Sequence, residues 1–326
     1  MMLSAPHAHE GVTIRHVMFK VNFALLPAAL LGLVQFGMPA ALLLLTCLGT
    51  AVVCEILCLR LNPQAPGDAN DGSAILTALL LAMSLPPHAP LWLGMLGSLV
   101  AVVFGKHLYG GLGQNLFNPA MLARVVLLIA FPVEMTHWIQ PADFLHGQFY
   151  IIEPDGLSGA TTLGYFKESH QLHFDWMQHA AGFSKGSMGE TSAILLLLGG
   201  LWLLQQKAFT WHAPVATLLG CLLPGSLHWL IAPATIATPL AQLTSGGLLL
   251  GAFFIVTDPV TTPSSPLGKL IFGAMAGLLI YVIRSFGNFP EGVAFAVLLM
   301  NAATPLIDNY TRPRAYGLRA GKEPQA

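Results

Sequence analysis

Between residues 21 and 308 the chain runs through long apolar stretches separated by short polar breaks. The stretches fall at about 21–37, 39–59, 73–86, 88–105, 117–139, 187–204, 209–231, 240–257, 268–286 and 291–308. Each is read as a helix, because a hydrocarbon core about 30 Å thick takes roughly 20 apolar residues. Segment 73–86 is short for a full crossing. The eighth is bounded by Thr244-Ser245-Gly246-Gly247 and Thr257-Asp258-Pro259. Both read as broken helices, which lipid tolerates only where the freed backbone is buried in protein. The predicted fold is therefore an all-α integral membrane protein of about ten transmembrane helices, with helices 3 and 8 broken.

The polar stretches set the remaining boundaries: a tail at 1–20, membrane segments at 21–139, a loop at 140–186, further membrane segments at 187–308 and a tail at 309–326. Two motifs recur at one fixed offset along the chain. Leu85-Pro86 aligns with Asp258-Pro259, and Asn115 aligns with Asn288, each asparagine just before an apolar segment. Five helices per copy is an odd number, so the second copy enters the membrane upside down. This predicts two inverted five-helix repeats whose broken helices meet near the midplane and aim helix ends and polar side chains at a ligand or ion. The candidates for that site are Ser73, Thr77, Asn115, Asn118, Thr257, Asp258 and Asn288, with Asp258 as the candidate Na+ or H+ site. Helix capping is the simpler use of each asparagine or aspartate taken singly.

Composition agrees with a membrane protein. Charged residues are 9% of the 326, hydrophobic residues are 55% and the mean hydropathy is +0.67, against roughly 25% charged residues in a soluble domain. A soluble enzyme, a disordered chain and a nucleic-acid binder are excluded on that ground. The first twenty residues hold Glu10, Arg15 and Lys20 and show no cleavable signal, so the first helix is read as an anchor. With the N-terminus inside, Arg15, Lys20, Arg60, Lys106, Lys207, Lys269, Arg312, Arg314, Arg319 and Lys322 fall on the cytoplasmic side, ten of the 14 lysines and arginines. Lys167, Lys185 and Arg284 fall outside, and Arg124 lies within the fifth segment. This bias places both termini in the cytoplasm and residues 140–186 outside. The four cysteines lie in apolar segments without a CxxC spacing, which offers no iron–sulfur or zinc ligand set. No helix carries a histidine pair at the spacing of a two-haem cytochrome.

The loop holds Asp155-Gly156-Leu157-Ser158-Gly159-Ala160-Thr161-Thr162-Leu163. By its chemistry this is a turn of small residues that exposes a hydroxyl, and Gly156 and Gly159 let a bulky partner approach. Asp155 is placed to hold the turn or accept a hydrogen bond from Ser158. Taken alone, the letters also fit a plain turn.

The stretch D-x-x-S-G-A-T resembles the acceptor sequence at which a flavin transferase attaches FMN through a phosphodiester, and the match puts the modified residue at Thr161. Other runs agree with the same family: Gly110-Gly111-Leu112-Gly113-Gln114-Asn115-Leu116-Phe117-Asn118-Pro119-Ala120-Met121, residues 125–135, Gly189-Glu190-Thr191-Ser192-Ala193, and Thr257-Asp258-Pro259-Val260 on to Asn309-Tyr310. Over roughly residues 20–317 the chain resembles the D subunits of Rnf electron-transport complexes. It is more distantly similar to the B subunit of the sodium-translocating NADH:quinone oxidoreductase. One departure is Thr162, where many members have proline, which sets a second hydroxyl beside the first.

The resemblance implies a ten-helix subunit of the bacterial inner membrane, with residues 140–186 periplasmic. It implies electron transfer through a covalent FMN, in a complex that couples electron flow between NADH and ferredoxin to Na+ or H+ movement. It also implies partners: the other membrane subunits, a periplasmic-facing flavoprotein subunit, a flavin transferase and membrane lipid, with no nucleic acid. Homologous subunits are associated with a non-covalent riboflavin, for which Asn115, Asn118 and Asn288 are the expected contacts. Around the covalent flavin the expected neighbours are Asp155, Ser158, Gly159, Ala160, Thr191 and Ser192, the last two opening a helix whose positive end suits a phosphodiester. Glu55 and Arg124 stand out because a charge facing lipid costs at least about 2.5 kcal/mol. Each has a structural reading, as a paired carboxylate and a paired guanidinium, and Glu55 also has one as a proton or Na+ relay. A transporter of small solutes with the same inverted repeat and no redox role, and a scaffolding subunit, are the alternatives.

Overall fold

The computed structural model describes residues 13–63, 66–142, 158–169, 179, 182–190, 192–289 and 291–312. Asp155 and Thr191 lie outside that set, and of Ser158 only the backbone is described.

The first two apolar segments share one element, α1 (Ile14–Leu61), inside which Gly37 takes φ 70° and ψ −150°. A straight helix from Asn22 to Glu55 would be about 50 Å long. Yet Asn22 donates to the Gly72 carbonyl at 3.1 Å, and Glu55 reaches the next residue, Ser73, through Lys106. The element is thus a hairpin whose two arms turn back at Gly37, where a positive φ favours glycine. Pro39 opens the second arm, where its missing N–H removes no helical hydrogen bond.

Helix α2 (Ser73–Ser84) is 12 residues long and passes into extended backbone at Leu85. Pro86 dictates this, because a proline keeps the preceding residue out of the helical region. Helix α3 (Leu91–Leu99) continues as a π-turn, Val100–Phe104, and a short 3-10 turn, His107–Tyr109. Helix α4 (Pro119–Ala130) starts on Asn118, whose side chain accepts from the Met121 N–H at 3.2 Å. The fifth segment, expected to run to residue 139, ends as a helix at Ala130 because Pro132 cannot continue it. A single turn, α5 (Pro132–Met135), and a strand, β1 (Trp138–Ile139), follow. Strand β1 pairs antiparallel with β2 (Ser158–Gly159), Trp138 opposite Gly159, and this ladder is the one departure from an all-helical fold among the described residues.

Beyond the loop come α6 (Thr162–Ser169), α7 (Ala193–Gln205) and α8 (His212–Ile231). The eighth segment is broken, as expected. Helix α9 (Pro239–Thr244) stops at Ser245, Gly246 turns with φ 70°, and α10 (Leu248–Leu250) restarts and passes into a π-turn, Gly251–Ile255. Helices α11 (Pro266–Phe286) and α12 (Val293–Tyr310) complete the chain.

Among the described residues five helical stretches are long and apolar enough to cross a membrane, and α2, α4 and α7 are shorter apolar helices. The molecule is a multi-pass membrane protein. Its buried core is one large cluster and a small second one of Phe166, Ala237 and Ala241, while Leu45, Ile129, Leu198 and Leu230 stand on the outer surface. In lipid, close contact between helices depends on small residues. A Cβ on Gly273 would lie 2.5 Å from the Ala213 carbonyl, and one on Gly277 would lie 2.8 Å from the Cys221 nitrogen, so α11 packs directly on the α8 backbone.

The two broken elements run antiparallel through this core. A Cβ on Gly189 would meet the Met83 carbonyl at 2.8 Å and the Leu250 side chain at 2.7 Å. The end of α2 therefore lies level with the start of α10. At the opposite end Ser73 and Thr77 share a cavity wall with Thr257 and Asp258.

Candidate functional site

Two polar sites occupy opposite ends of the α1 hairpin, its turn at Gly37 and its open end. At the turn end, near Gln35, whose carbonyl accepts from the Ala142 N–H at 2.8 Å, lies the turn that holds Thr161 and Thr162. Thr161 is the cap of α6. Its carbonyl accepts from the Tyr165 N–H at 2.8 Å, and its Oγ1 accepts from the Gly164 N–H at 3.2 Å. The hydroxyl is partly exposed on a pocket of about 370 Å³ that also contains Trp138, Lys185, Glu190, Ser245 and Glu291. Thr162 is chemically distinct from its neighbour, because its hydroxyl is bonded to the buried His179 Nε2 at 2.8 Å. Gly159 has a steric reason: a Cβ there would lie 2.8 Å from the Lys185 Nζ.

Beneath this turn is a buried group of charges that no sequence pattern assembles. Arg284, expected as an outside loop charge, turns inward from the last turn of α11. Its Nη2 donates to both Glu291 carboxylate oxygens at 3.2 Å and its Nη1 to the Gln242 carbonyl at 2.8 Å. Glu291 also accepts from the Gly247 N–H at 2.8 Å, capping the restart of the broken helix. Glu190, 6% exposed, is bonded by the Ser187 hydroxyl at 2.9 Å and lies in the field of Arg124, Arg284 and Glu291. Arg124 thus has carboxylate neighbours, in line with its structural reading. Ser192 sits apart from this pocket, its Oγ spent on the Leu195 N–H at 3.2 Å as the α7 cap.

The second site is a cavity of about 740 Å³ at the open end of the α1 hairpin, between the two broken elements. Six of the seven predicted midplane residues line it: Ser73, Thr77, Asn115, Asn118, Thr257 and Asp258. Asn288 is the exception. It is exposed at the turn between α11 and α12 and does not line the cavity, so its expected place with Asn115 and Asn118 is corrected. Asp258 accepts from the Val260 N–H and the Thr261 hydroxyl at 3.2 Å and from Asn118 Nδ2 at 3.5 Å. This last contact joins the two halves of the chain. Asn301, which no motif singles out, backs it: with its amide oriented to suit its neighbours, the oxygen accepts from the Asn118 N–H at 2.9 Å. Among the described residues no three His, Cys, Asp or Glu side chains converge as a metal cluster. A cation at Asp258 would therefore draw on hydroxyl and amide oxygens.

The cavity wall also carries Lys106, 3% exposed, which donates to Glu55 at 2.6 Å and to Ser73 Oγ at 2.7 Å. His107 Nε2 holds the other Glu55 oxygen at 2.9 Å, and Ser73 is tied in turn to Asp71 at 2.5 Å. Glu55 is thus a fully enclosed, doubly partnered carboxylate. The charge pattern marks it as unusual; its partners lie far along the chain, beyond α2 and α3, and carry no sequence signal.

Sequence comparison covers the whole of this arrangement. A family model described as the NQR2, RnfD, RnfE family matches residues 1–317. A Stutzerimonas stutzeri protein, named as the D subunit of an ion-translocating oxidoreductase complex, is 49% identical, over 96% of this chain and 94% of its own length. The proteins of that name from Escherichia coli (strain SE11) and Shigella dysenteriae serotype 1 are 44% and 43% identical, each over 98% of both chains. The matches extend through both halves and both polar sites, and the chain belongs to the NQR2, RnfD, RnfE family.

Proposed function

We propose that the protein is the D subunit of an Rnf-type ion-translocating oxidoreductase complex, and that it carries electrons through FMN esterified to Thr161. The observation that carries the reading is the state of the two adjacent hydroxyls. Both line one pocket, but Thr161 Oγ1 accepts from the Gly164 N–H at a helix N-terminus and donates to no described residue, while Thr162 is bound to His179. The residues suit a phosphodiester: the Gly164 amide in the first turn of α6 faces the same oxygen, and Gly159 leaves room for the Lys185 ammonium beside the turn. When bound, FMN supplies a one- and two-electron carrier; the chain supplies the tether, the local charge and exclusion of water.

Ion movement is assigned to the second site, with Asp258 as the carboxylate through which Na+ or H+ passes between the antiparallel broken helices. In this reading residues 21–139 and 187–308 are inverted repeats, and residues 140–186 face the periplasm. Asn115 and Asn118 line the same cavity, and in this reading they are the contacts of a non-covalent riboflavin. The same cavity is what a solute transporter without redox chemistry would need, and the attachment turn is what such a transporter would lack.

One preparation separates the readings. The subunit, co-expressed with a flavin transferase, is denatured, run on a gel and viewed for flavin fluorescence. The fluorescence is expected in the wild type and in Thr162→Ala and absent in Thr161→Ala. A dark wild-type band would refute the covalent flavin. In the assembled complex Asp258→Asn is expected to keep the fluorescence and lose ion uptake into vesicles; loss of both together would instead assign Asp258 to folding.

A further inference from the structure

We infer that Lys185 is the cation that holds the phosphodiester on Thr161. The inference rests on the reading of Thr161 as the attachment point and names a partner for the group attached there.

The first observation is place. Lys185 and Thr161 line the same pocket, and the Lys185 Nζ lies 2.8 Å from the position a Cβ would take on Gly159, two residues before the threonine. The ammonium lies against the turn at Gly159, where no side chain stands between them.

The second is charge. Glu190 and Glu291 are the pocket's carboxylates, and each is held in the field of Arg124 and Arg284. Burial and the Glu291 charge push Glu190 up to about 7, so the two carboxylates at most balance the two arginines. Lys185 is the fifth charge and has no carboxylate within ion-pair distance among the described residues. A cation partly withdrawn from water is costly without a counter-charge. A phosphodiester carries one negative charge and does not ionise again, so one such group completes the balance.

The third is the exclusion of the other lysine on this side. Lys167 donates to the carbonyls of Arg284, Gly287 and Phe289. An ammonium has three donors, so Lys167 is saturated by helix-end carbonyls and has none left for an anion. Lys185 is the basic side chain in reach of Thr161 with donors to give.

The test follows the reactivity of the amine rather than electron transfer. The full-length subunit is produced with and without a flavin transferase, treated briefly with a small amine-acylating ester across a pH series, and acylation at Lys185 and Lys167 is quantified by peptide mass spectrometry. An anion in contact raises an ammonium's pKa, and one unit cuts the reactive amine about tenfold. The expected result is a pH midpoint for Lys185 about one unit higher in the flavin-loaded chain, with Lys167 unchanged and Thr161→Ala behaving as unloaded. An unchanged Lys185 midpoint in a chain shown by fluorescence to carry flavin overturns the inference alone, and so does uniform slowing at every pH, which is shielding without pairing. A chain that takes up no flavin overturns the attachment reading and this inference with it.

Discussion

Neighbouring residues of one chemical type can have unlike fates, and Thr161 and Thr162 differ only through what surrounds each hydroxyl. The charged groups follow the same rule. Glu55, Lys106 and His107 form an enclosed network at the cavity wall. Removing one member strands the rest, and breaking a buried pair costs about 3–5 kcal/mol, whereas replacing both partners by apolar groups often costs little. Glu55→Ala is therefore expected to lower the denaturation temperature in detergent markedly, and the double variant Glu55→Met/Lys106→Met to recover most of the loss. Equal losses in single and double variants would mean that the network does more than offset its own burial.

Among the helices, glycine acts in opposite ways according to what its missing side chain would meet. A Cβ on Gly49 in the second arm of α1 meets nothing within 4 Å, whereas one on Gly277 runs into the α8 backbone at Cys221 and Gly220. Gly49→Ala is expected to be neutral or to stabilise by up to about 1 kcal/mol, since alanine is the better helix former. Gly277→Ala forces α11 off α8, with an expected loss of about 1–3 kcal/mol from overpacking. Thermal unfolding of the two variants side by side checks the pair, and a neutral Gly277→Ala would show that these helices can separate without cost. The breaks in the helices have similarly local causes: Pro86 ends α2, Pro132 ends α4, and Ser245-Gly246-Gly247 interrupts the eighth segment.

Across the molecule as a unit, the two polar sites lie at opposite ends of the α1 hairpin, and the proposed topology puts the Thr161 site outside and the Glu55 network toward the cytoplasm. A cysteine introduced as Glu168→Cys is expected to react with an impermeant thiol reagent applied to intact cells from the periplasmic side. Reaction only after lysis would reverse the orientation. The misplacement of Asn288 has its explanation here as well. The repeat offset pairs it with Asn115, but in the proposed inverted repeat copies that run in opposite directions would send matched positions to opposite ends, and only those near the middle of the membrane would meet. Asn118 and Asp258, which the offset does not pair, are the two that touch across the halves.

That this is a membrane protein, where its apolar segments lie and that the eighth of them breaks could be read from the order of residues, whereas the end of the fifth at Ala130 was not. Those properties are local: lipid demands about 20 apolar residues per crossing, and proline and glycine act on their own neighbours. Which charges pair was settled by helix packing. Glu55 with Lys106, Arg284 with Glu291, and Lys185 with the turn at Gly159 meet because different elements bring them together. Arg284 could not be told from a solvated loop charge until α11 was seen to aim it at Glu291 and the carbonyls of the broken helix. The energy of a buried charge depends on partners brought in from other helices, and no local pattern records which partners those are.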